Sequence, residues 1–141
     1  MALGTSGNRV KVILDTNILI SALGLGGIPR KVFILALEKK ILAVTSPILI
    51  AELREVISKK FPKLSQHLPA IERVIKDSFL IVQPETIINI LKDTDDNRVL
   101  EAALEGMCSF IITGDKELLD LGYFDNIEIL TANRFLEKLN K

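Results

Sequence analysis

The sequence is poor in several residues on which whole classes of protein depend. It has one cysteine, Cys108, so no disulfide can form within the chain, and we expect a reducing, cytoplasmic location. Its one histidine, His67, has no partner of its own kind for a histidine-rich metal site. There is no tryptophan and only one tyrosine, so few side chains could stack on nucleobases.

Excess charge and long apolar runs are also lacking. Lys and Arg together number 18, as do Asp and Glu, so the formal net charge is zero. No basic field covers the whole molecule, and a polyanion would have to be held by a local patch or through a metal ion. No apolar run reaches the ~20 residues of a membrane span, so we expect no membrane partner. The length predicts one domain over residues 1–141, with residues 1–9 as a flexible N-terminal segment.

Short apolar segments alternate with helical patterns along the chain. The predicted strands are 10–14, 41–44, 79–82, 109–113 and 127–130. Helices are predicted to start near Ile18, Pro29 and Pro47, to break at Pro69, and to follow Asp95 or Asp96 as N-cap. Strands that alternate with helices predict an α/β fold: a mainly parallel central sheet flanked by helices in three layers.

Four acidic side chains stand where this fold would bring them together. Asp15 and Asp115 each follow a predicted strand, and the carboxyl ends of parallel strands lie at one edge of the sheet. Asp96 opens a crossover helix whose N-terminus lies at the same edge. Glu52 lies in the second turn of the helix that follows the second strand, where it interrupts an apolar face. We therefore expect one shared site.

Four carboxylates in one cleft would repel one another strongly. Two unit charges ~4 Å apart cost roughly 4 kcal/mol at an effective dielectric constant near 20. Either raised pKa values or a divalent cation must offset this repulsion. Ligation by oxygen alone suits Mg²⁺ or Mn²⁺, with Asp15, Glu52, Asp96 and Asp115 as candidate ligands. The chemistry that this pattern favours is metal-assisted hydrolysis of a phosphodiester.

Four segments of the chain resemble the acidic motifs of one family. They are "ILDTNILISAL", "TSPILIAELREVI", "DTDDNRVLEAALEG" and "FIITGDKELL". In this order they are similar to the motifs of the PIN-domain ribonucleases, in particular the VapC-like toxin branch of toxin–antitoxin pairs, over about residues 10–136. The resemblance implies a PIN-like fold and an Mg²⁺- or Mn²⁺-dependent endoribonuclease with an RNA substrate. It also implies a cognate antitoxin, and we expect a homodimer.

The same resemblance assigns roles residue by residue. The catalytic and metal-binding acids fall on Asp15, Glu52, Asp96 and Asp115.

Supporting roles fall on polar neighbours of these acids. Asn17, Thr113 and Asp95 are supporting polar groups, and Glu117, also a supporting residue, stands where the family often has a further acid. Asp93 and Asp95 crowd the third motif, so which of Asp93, Asp95 and Asp96 is the third acid stays open at this point.

Basic residues at helix ends are candidates for binding RNA phosphates. Arg30 and Lys31 are the best of them, because they follow the loop that leaves the Asp15 motif.

Two other classes of function fit parts of the pattern. One is phosphotransfer to Asp15, but a phosphatase of that kind would need a second Asp where Asn17 stands. A receiver would use a lysine such as Lys116 and would leave Glu52 without a role. The other is a non-catalytic binding module that keeps the fold.

Overall fold

The computed structural model describes residues 9–140, so most of the predicted flexible segment, residues 1–8, lies outside it. The strands are β1 (Lys11–Leu14), β2 (Leu42–Thr45), β3 (Leu80–Ile81), β4 (Phe110–Ile112), β5 (Tyr123–Phe124) and β6 (Ile127–Leu130). The helices are α1 (Thr16–Gly24), α2 (Gly27–Leu37), α3 (Pro47–Lys60), α4 (Pro62–Ser65), α5 (Leu68–Ser78), α6 (Thr94–Glu105), α7 (Lys116–Leu121) and α8 (Ala132–Leu139).

The strands form one six-stranded sheet in the order β3-β2-β1-β4-β6-β5. All neighbours are parallel except β5, which runs antiparallel to β6. In the centre, Ile13 of β1 is in register with Val44 on one side and Ile111 on the other. Branched aliphatic residues suit such a strand because it is covered on both faces.

Successive residues of β1 point into two different cores. Val12 and Leu14 pack with α1, α2, α3, α5 and α8, whereas Ile13 packs mainly with α6 and α7 on the opposite face. This alternation is the two-residue period of a strand, and it makes three layers. The predicted α/β fold with a mainly parallel sheet between helices is confirmed.

The predicted start of α6 is wrong. The sequence favoured Asp95 or Asp96 as N-cap, but the helix begins at Thr94 and Asp93 is the N-cap. The Asp93 side chain accepts a hydrogen bond from the Asp95 backbone N–H at 2.9 Å. Three aspartates within four positions can all cap a helix, and the first one does so here.

Two other boundaries differ from the sequence prediction. The helical region after Pro62 breaks at Gln66 and His67, while Pro69 lies in the first turn of α5, where its missing N–H is not needed. The antiparallel strand β5 was not predicted, because two residues are too short to show a pattern.

No single helix within residues 9–140 is long and apolar enough to cross a membrane. Taken together, α1 and α2 have the required length and composition, but they are bent by 100° relative to each other.

Candidate active site

The ends of β1 and β4 carry the first two acids of the site. Asp15 directly follows β1, and its backbone N–H donates to the carbonyl of Ile112 at 3.0 Å. The hydroxyl of Thr113, just after β4, donates to Asp15 Oδ2 at 2.8 Å and accepts from the Asp115 N–H at 3.0 Å. The buried Thr113 side chain therefore ties Asp15 to Asp115, although the two acids are far apart in sequence.

A group of three carboxylates lies beside this link. The residues are Asp93, Asp96 and Asp115. Each has one carboxylate oxygen that lies within 4.8 Å of the corresponding oxygens of the other two. Asp96 is 5% exposed, and its Oδ2 is buried with no hydrogen-bond partner. A buried carboxylate oxygen without a partner is costly unless the carboxyl is protonated or a ligand satisfies it. This oxygen and its two neighbours form a group that is able to hold a metal ion.

The helix starts orient two of these carboxylates. Asp115 is the N-cap of α7, and its Oδ1 accepts from the Glu117 N–H at 2.8 Å. Asp93 caps α6 in the same way through Oδ1. One oxygen of each side chain is thus fixed by backbone, which sets the direction of the whole carboxylate.

Glu52 belongs to a second, neighbouring group of acids. The hydroxyl of Thr16 donates to Glu52 Oε1 at 2.6 Å. Burial raises the pKa of Glu52 to about 7; the Thr16 hydrogen bond acts in the opposite direction, and the Asp95 carboxylate beside it adds to the increase. The Glu52 carboxyl therefore exchanges a proton close to neutral pH.

The two buried aspartates also hold protons more strongly than usual. Burial raises the pKa of Asp96 to about 8, helped by the adjacent Asp115 carboxyl. Burial raises the pKa of Asp15 as well, and the Thr113 hydrogen bond counteracts part of that increase. Without a cation, part of this site is therefore protonated at neutral pH.

Metal-free protein is expected to lose stability as pH rises from about 5 to 8.5. Carboxyls whose folded pKa is raised stabilise the fold below their unfolded pKa, and this contribution is lost as pH rises through the folded pKa. Glu52 and Asp96, with pKa values of about 7 and 8, place the loss in this window. Glu72 has a lowered pKa beside Arg54 and acts only at lower pH. Thermal melts in EDTA at several pH values measure the slope of melting temperature against pH.

The matched variant for this prediction is Asp96→Asn, which should flatten the slope of melting temperature against pH. An Asp96→Asn protein whose melting temperature falls as steeply as that of the wild type would contradict the assignment.

Three further residues predicted for the site, Asn17, Arg30 and Lys31, lie outside the group of acids. Asn17 is exposed and lines an apolar groove of about 730 Å³ between α1 and the α3–α4 junction. Arg30 donates to the carbonyls of Ala22 and Leu23 at 2.8 and 3.2 Å, so it caps the end of α1. Lys31 is exposed on α2. The structure does not bring these three side chains into the acidic group.

The lysine that a phosphotransfer site would need is paired with an acid of its own helix. Lys116 Nζ pairs with Asp120 at 2.7 Å, and its side chain is 87% exposed. The structure therefore supports no receiver-like role for Lys116.

The predicted supporting residue Glu117 contacts the backbone before α6. Its carboxylate accepts hydrogen bonds from the backbone N–H groups of Lys92 and Asp93 at 3.3 and 3.4 Å.

Sequence reasoning missed two buried polar residues of α6 beside the site. Asn97 is 1% exposed and bonds the backbone of Ile90 and Leu91. Glu101 is 8% exposed, accepts the Ile88 N–H at 2.8 Å and pairs with Arg98 at 2.8 Å. The sequence contains one indication of their role. They are four residues apart on a helix rich in alanine and leucine, next to a long irregular segment whose backbone needs hydrogen-bond partners.

Comparisons with known sequences match most of the chain. The family model of the PIN domain matches residues 11–117. The uncharacterized protein MJ1680 of Methanocaldococcus jannaschii is 35% identical over 149 aligned positions, covering 94% of each chain.

Solved structures with the same fold have lower identity. VapBC2 from Rickettsia felis, bound to a DNA fragment from its promoter, has a TM-score of 0.59 at 16% identity and covers 85% of this chain and 97% of that one. FitAcB from Neisseria gonorrhoeae has a TM-score of 0.56 at 18% identity, with 86% and 97% covered. PAE2754 from Pyrobaculum aerophilum has a TM-score of 0.55 at 14% identity, with 100% and 99% covered.

The family match spans all four acidic segments of the site, from the strand before Asp15 to Glu117. The resemblance inferred from the sequence is confirmed, and it supports a hydrolase that acts on nucleic acid. The chain belongs to the PIN-domain family.

Proposed function

We propose that this protein is a divalent-metal-dependent endoribonuclease that hydrolyses phosphodiester bonds within RNA. The observation that carries the proposal is the unpartnered, buried Oδ2 of Asp96 inside a group of three carboxylates. Asp15, Glu52, Asp96 and Asp115 are its catalytic acids, as the motif positions imply. RNA is the substrate that the resemblance to PIN-domain ribonucleases supports.

The donor set of the site fits a hard cation. Asp93, Asp96 and Asp115 would hold it with oxygen atoms, and Asp15 lies close enough to add negative charge. No histidine or cysteine belongs to this group, which favours Mg²⁺ or Mn²⁺ over zinc or copper. When bound, such a cation supplies charge neutralisation at the phosphate and makes a water molecule easier to deprotonate.

The chain itself supplies orientation and a proton acceptor. Glu52 has a pKa of about 7, so its carboxylate can take a proton from an attacking water at neutral pH. The Thr16 hydroxyl holds Glu52 Oε1, and the Thr113 hydroxyl holds Asp15 Oδ2. Arg30 and Lys31 are proposed to bind RNA phosphates at the rim, and Asp95, Asn17 and Glu117 are proposed supporting residues.

The experiment is a cleavage assay on an RNA labelled at both ends and on a DNA of the same sequence. We expect internal cleavage of the RNA with Mn²⁺ or Mg²⁺, little with Ca²⁺ and none in EDTA. Asp15→Asn, purified in parallel, controls for contaminating nuclease. An intact RNA with every cation, from a folded protein, would favour a non-catalytic binding module. Cleavage of the DNA alone would contradict the proposed substrate.

We also propose a cognate antitoxin as protein partner and a homodimer as the assembled state. The support is the resemblance to the toxin branch and the fold shared with VapBC2 and FitAcB. Exposed Leu25 and Phe61 line the groove beside Asn17 and offer apolar surface for a partner. Light scattering on the purified chain tests the homodimer, and a monomer at micromolar concentration would contradict it.

A further inference from the structure

An irregular segment leads into the acidic group. Residues 83–93, here called the strap, connect β3 to α6 and contain neither helix nor strand. Backbone N–H groups in such a segment need partners, since sheet or helix bonds are absent. Side chains provide them: those of Glu105, Glu101, Asn97 and Glu117 accept from the N–H groups of Glu85, Ile88, Ile90, Leu91, Lys92 and Asp93.

Three of these acceptors are four residues apart on α6. Asn97, Glu101 and Glu105 therefore lie on one face of the helix and follow the strap along its length. Arg98 adds a bond from Nη2 to the Ile88 carbonyl at 3.0 Å. The strap is thus fixed to α6 by side chains in the way that a strand is fixed by a neighbouring strand.

The last contact of the strap is made by a different helix. Glu117 Oε2 and Oε1 accept from the N–H groups of Lys92 and Asp93. The N–H of Glu117 itself donates to Asp115 Oδ1 at 2.8 Å. Glu117 is therefore hydrogen-bonded to the backbone of Asp93 and to the side chain of Asp115, two members of the carboxylate group.

We propose that Glu117 is a positioning residue, which fixes Asp93 against Asp115 through hydrogen bonds to the strap and is not itself a ligand of the cation. Asn97 assists by holding Ile90 and Leu91, the residues that precede this contact. Each carboxylate oxygen of Glu117 accepts a backbone N–H, and Glu117 is not one of the three residues whose oxygens lie close together, which are Asp93, Asp96 and Asp115. The inference rests on the metal site of the proposed function.

Three substitutions separate positioning from ligation. Glu117→Gln keeps an oxygen that accepts from the strap but loses the negative charge, whereas Glu117→Ala loses both. Asp115→Asn makes the same carboxylate-to-amide change at a proposed ligand. Glu105→Ala is the matched control, because it removes a strap bond at Glu85, the end far from the acids.

Calorimetric titration with Mn²⁺ alone gives the first measurement. We expect Glu117→Ala to weaken Mn²⁺ binding by about 10- to 100-fold, the usual effect of removing a residue that orients a ligand. Glu117→Gln should recover most of this loss, Asp115→Asn should not bind measurably, and Glu105→Ala should match the wild type. A Glu117→Gln protein as defective as Asp115→Asn would make Glu117 a ligand and overturn the proposal.

Amide hydrogen exchange in EDTA gives a second measurement that needs no metal. The amides of Lys92 and Asp93 should exchange faster in Glu117→Ala and at nearly the wild-type rate in Glu117→Gln and Glu105→Ala. Unchanged exchange in Glu117→Ala would overturn the positioning role. A wild-type protein that fails to bind Mn²⁺ would instead contradict the proposed metal site, while the exchange data would still test the strap contact.

Discussion

Asp96→Asn is expected to lower RNA cleavage by about 100-fold or more while the protein keeps its fold. The change removes one carboxylate from the group of three and leaves a neutral amide of the same shape. Losing one charged ligand costs several kcal/mol of transition-state stabilisation, and about 2.7 kcal/mol already corresponds to 100-fold in rate. Initial rates of RNA cleavage in Mn²⁺, measured on the folded variants, test this expectation.

The control for this variant is Glu38→Gln, at the exposed end of α2. Glu38 pairs with Lys40 at 3.8 Å, and its side chain is 54% exposed. This variant should cleave at the wild-type rate. If Asp96→Asn cleaves as fast as Glu38→Gln, the buried acids are not the catalytic centre.

Mn²⁺ or Mg²⁺ is expected to raise the melting temperature of the wild-type protein strongly. A ligand at ~100 times its dissociation constant adds about 2.7 kcal/mol to the stability of the state that binds it, or roughly 8–10 °C for a chain of this size. The increase should be larger at pH 8.5 than at pH 6, because the cation competes with the protons that Glu52 and Asp96 hold.

Asp115→Asn should abolish most of this stabilisation, and Glu38→Gln should leave it unchanged. Ca²⁺ can bind through the same oxygens, so it should raise the melting temperature while supporting little cleavage. Equal loss of stabilisation in both variants would mean that cations bind diffusely to surface charge.

The sheet and two of the acids follow from simple rules of sequence. A run of branched aliphatics that ends in Asp15, and another that ends at Thr113 before Asp115, place both acids at one edge of a parallel sheet. The structure brings them together through Thr113, as that rule predicts. This part of the site depends only on strand direction, which the alternating pattern makes predictable.

The choice among Asp93, Asp95 and Asp96 did not follow from the sequence. It depends on where α6 begins, and three capping residues within four positions compete for that start. With Asp93 as the cap, Asp93 and Asp96 join Asp115, while Asp95 turns towards Glu52. A shift of one residue would rotate these side chains by about 100° around the helix axis.

The strap contacts were not predictable for a different reason. Bonds such as those from Ile88 to Glu101 and from Lys92 to Glu117 join a segment without periodicity to helices that follow it. Local propensity holds no information on such pairs, because tertiary packing decides them. The role of Thr16 as donor to Glu52, 36 positions away, was missed for the same reason.

The short outer strands of the sheet restrict how another protein can attach. Both β3 and β5, at the two ends of the sheet order, are two residues long. An added strand gains its affinity from a row of main-chain hydrogen bonds, and so short an edge provides very few of them. We therefore expect a partner to use side-chain surfaces on the helices and the groove, so that its specificity depends on shape and charge and not on β-strand addition.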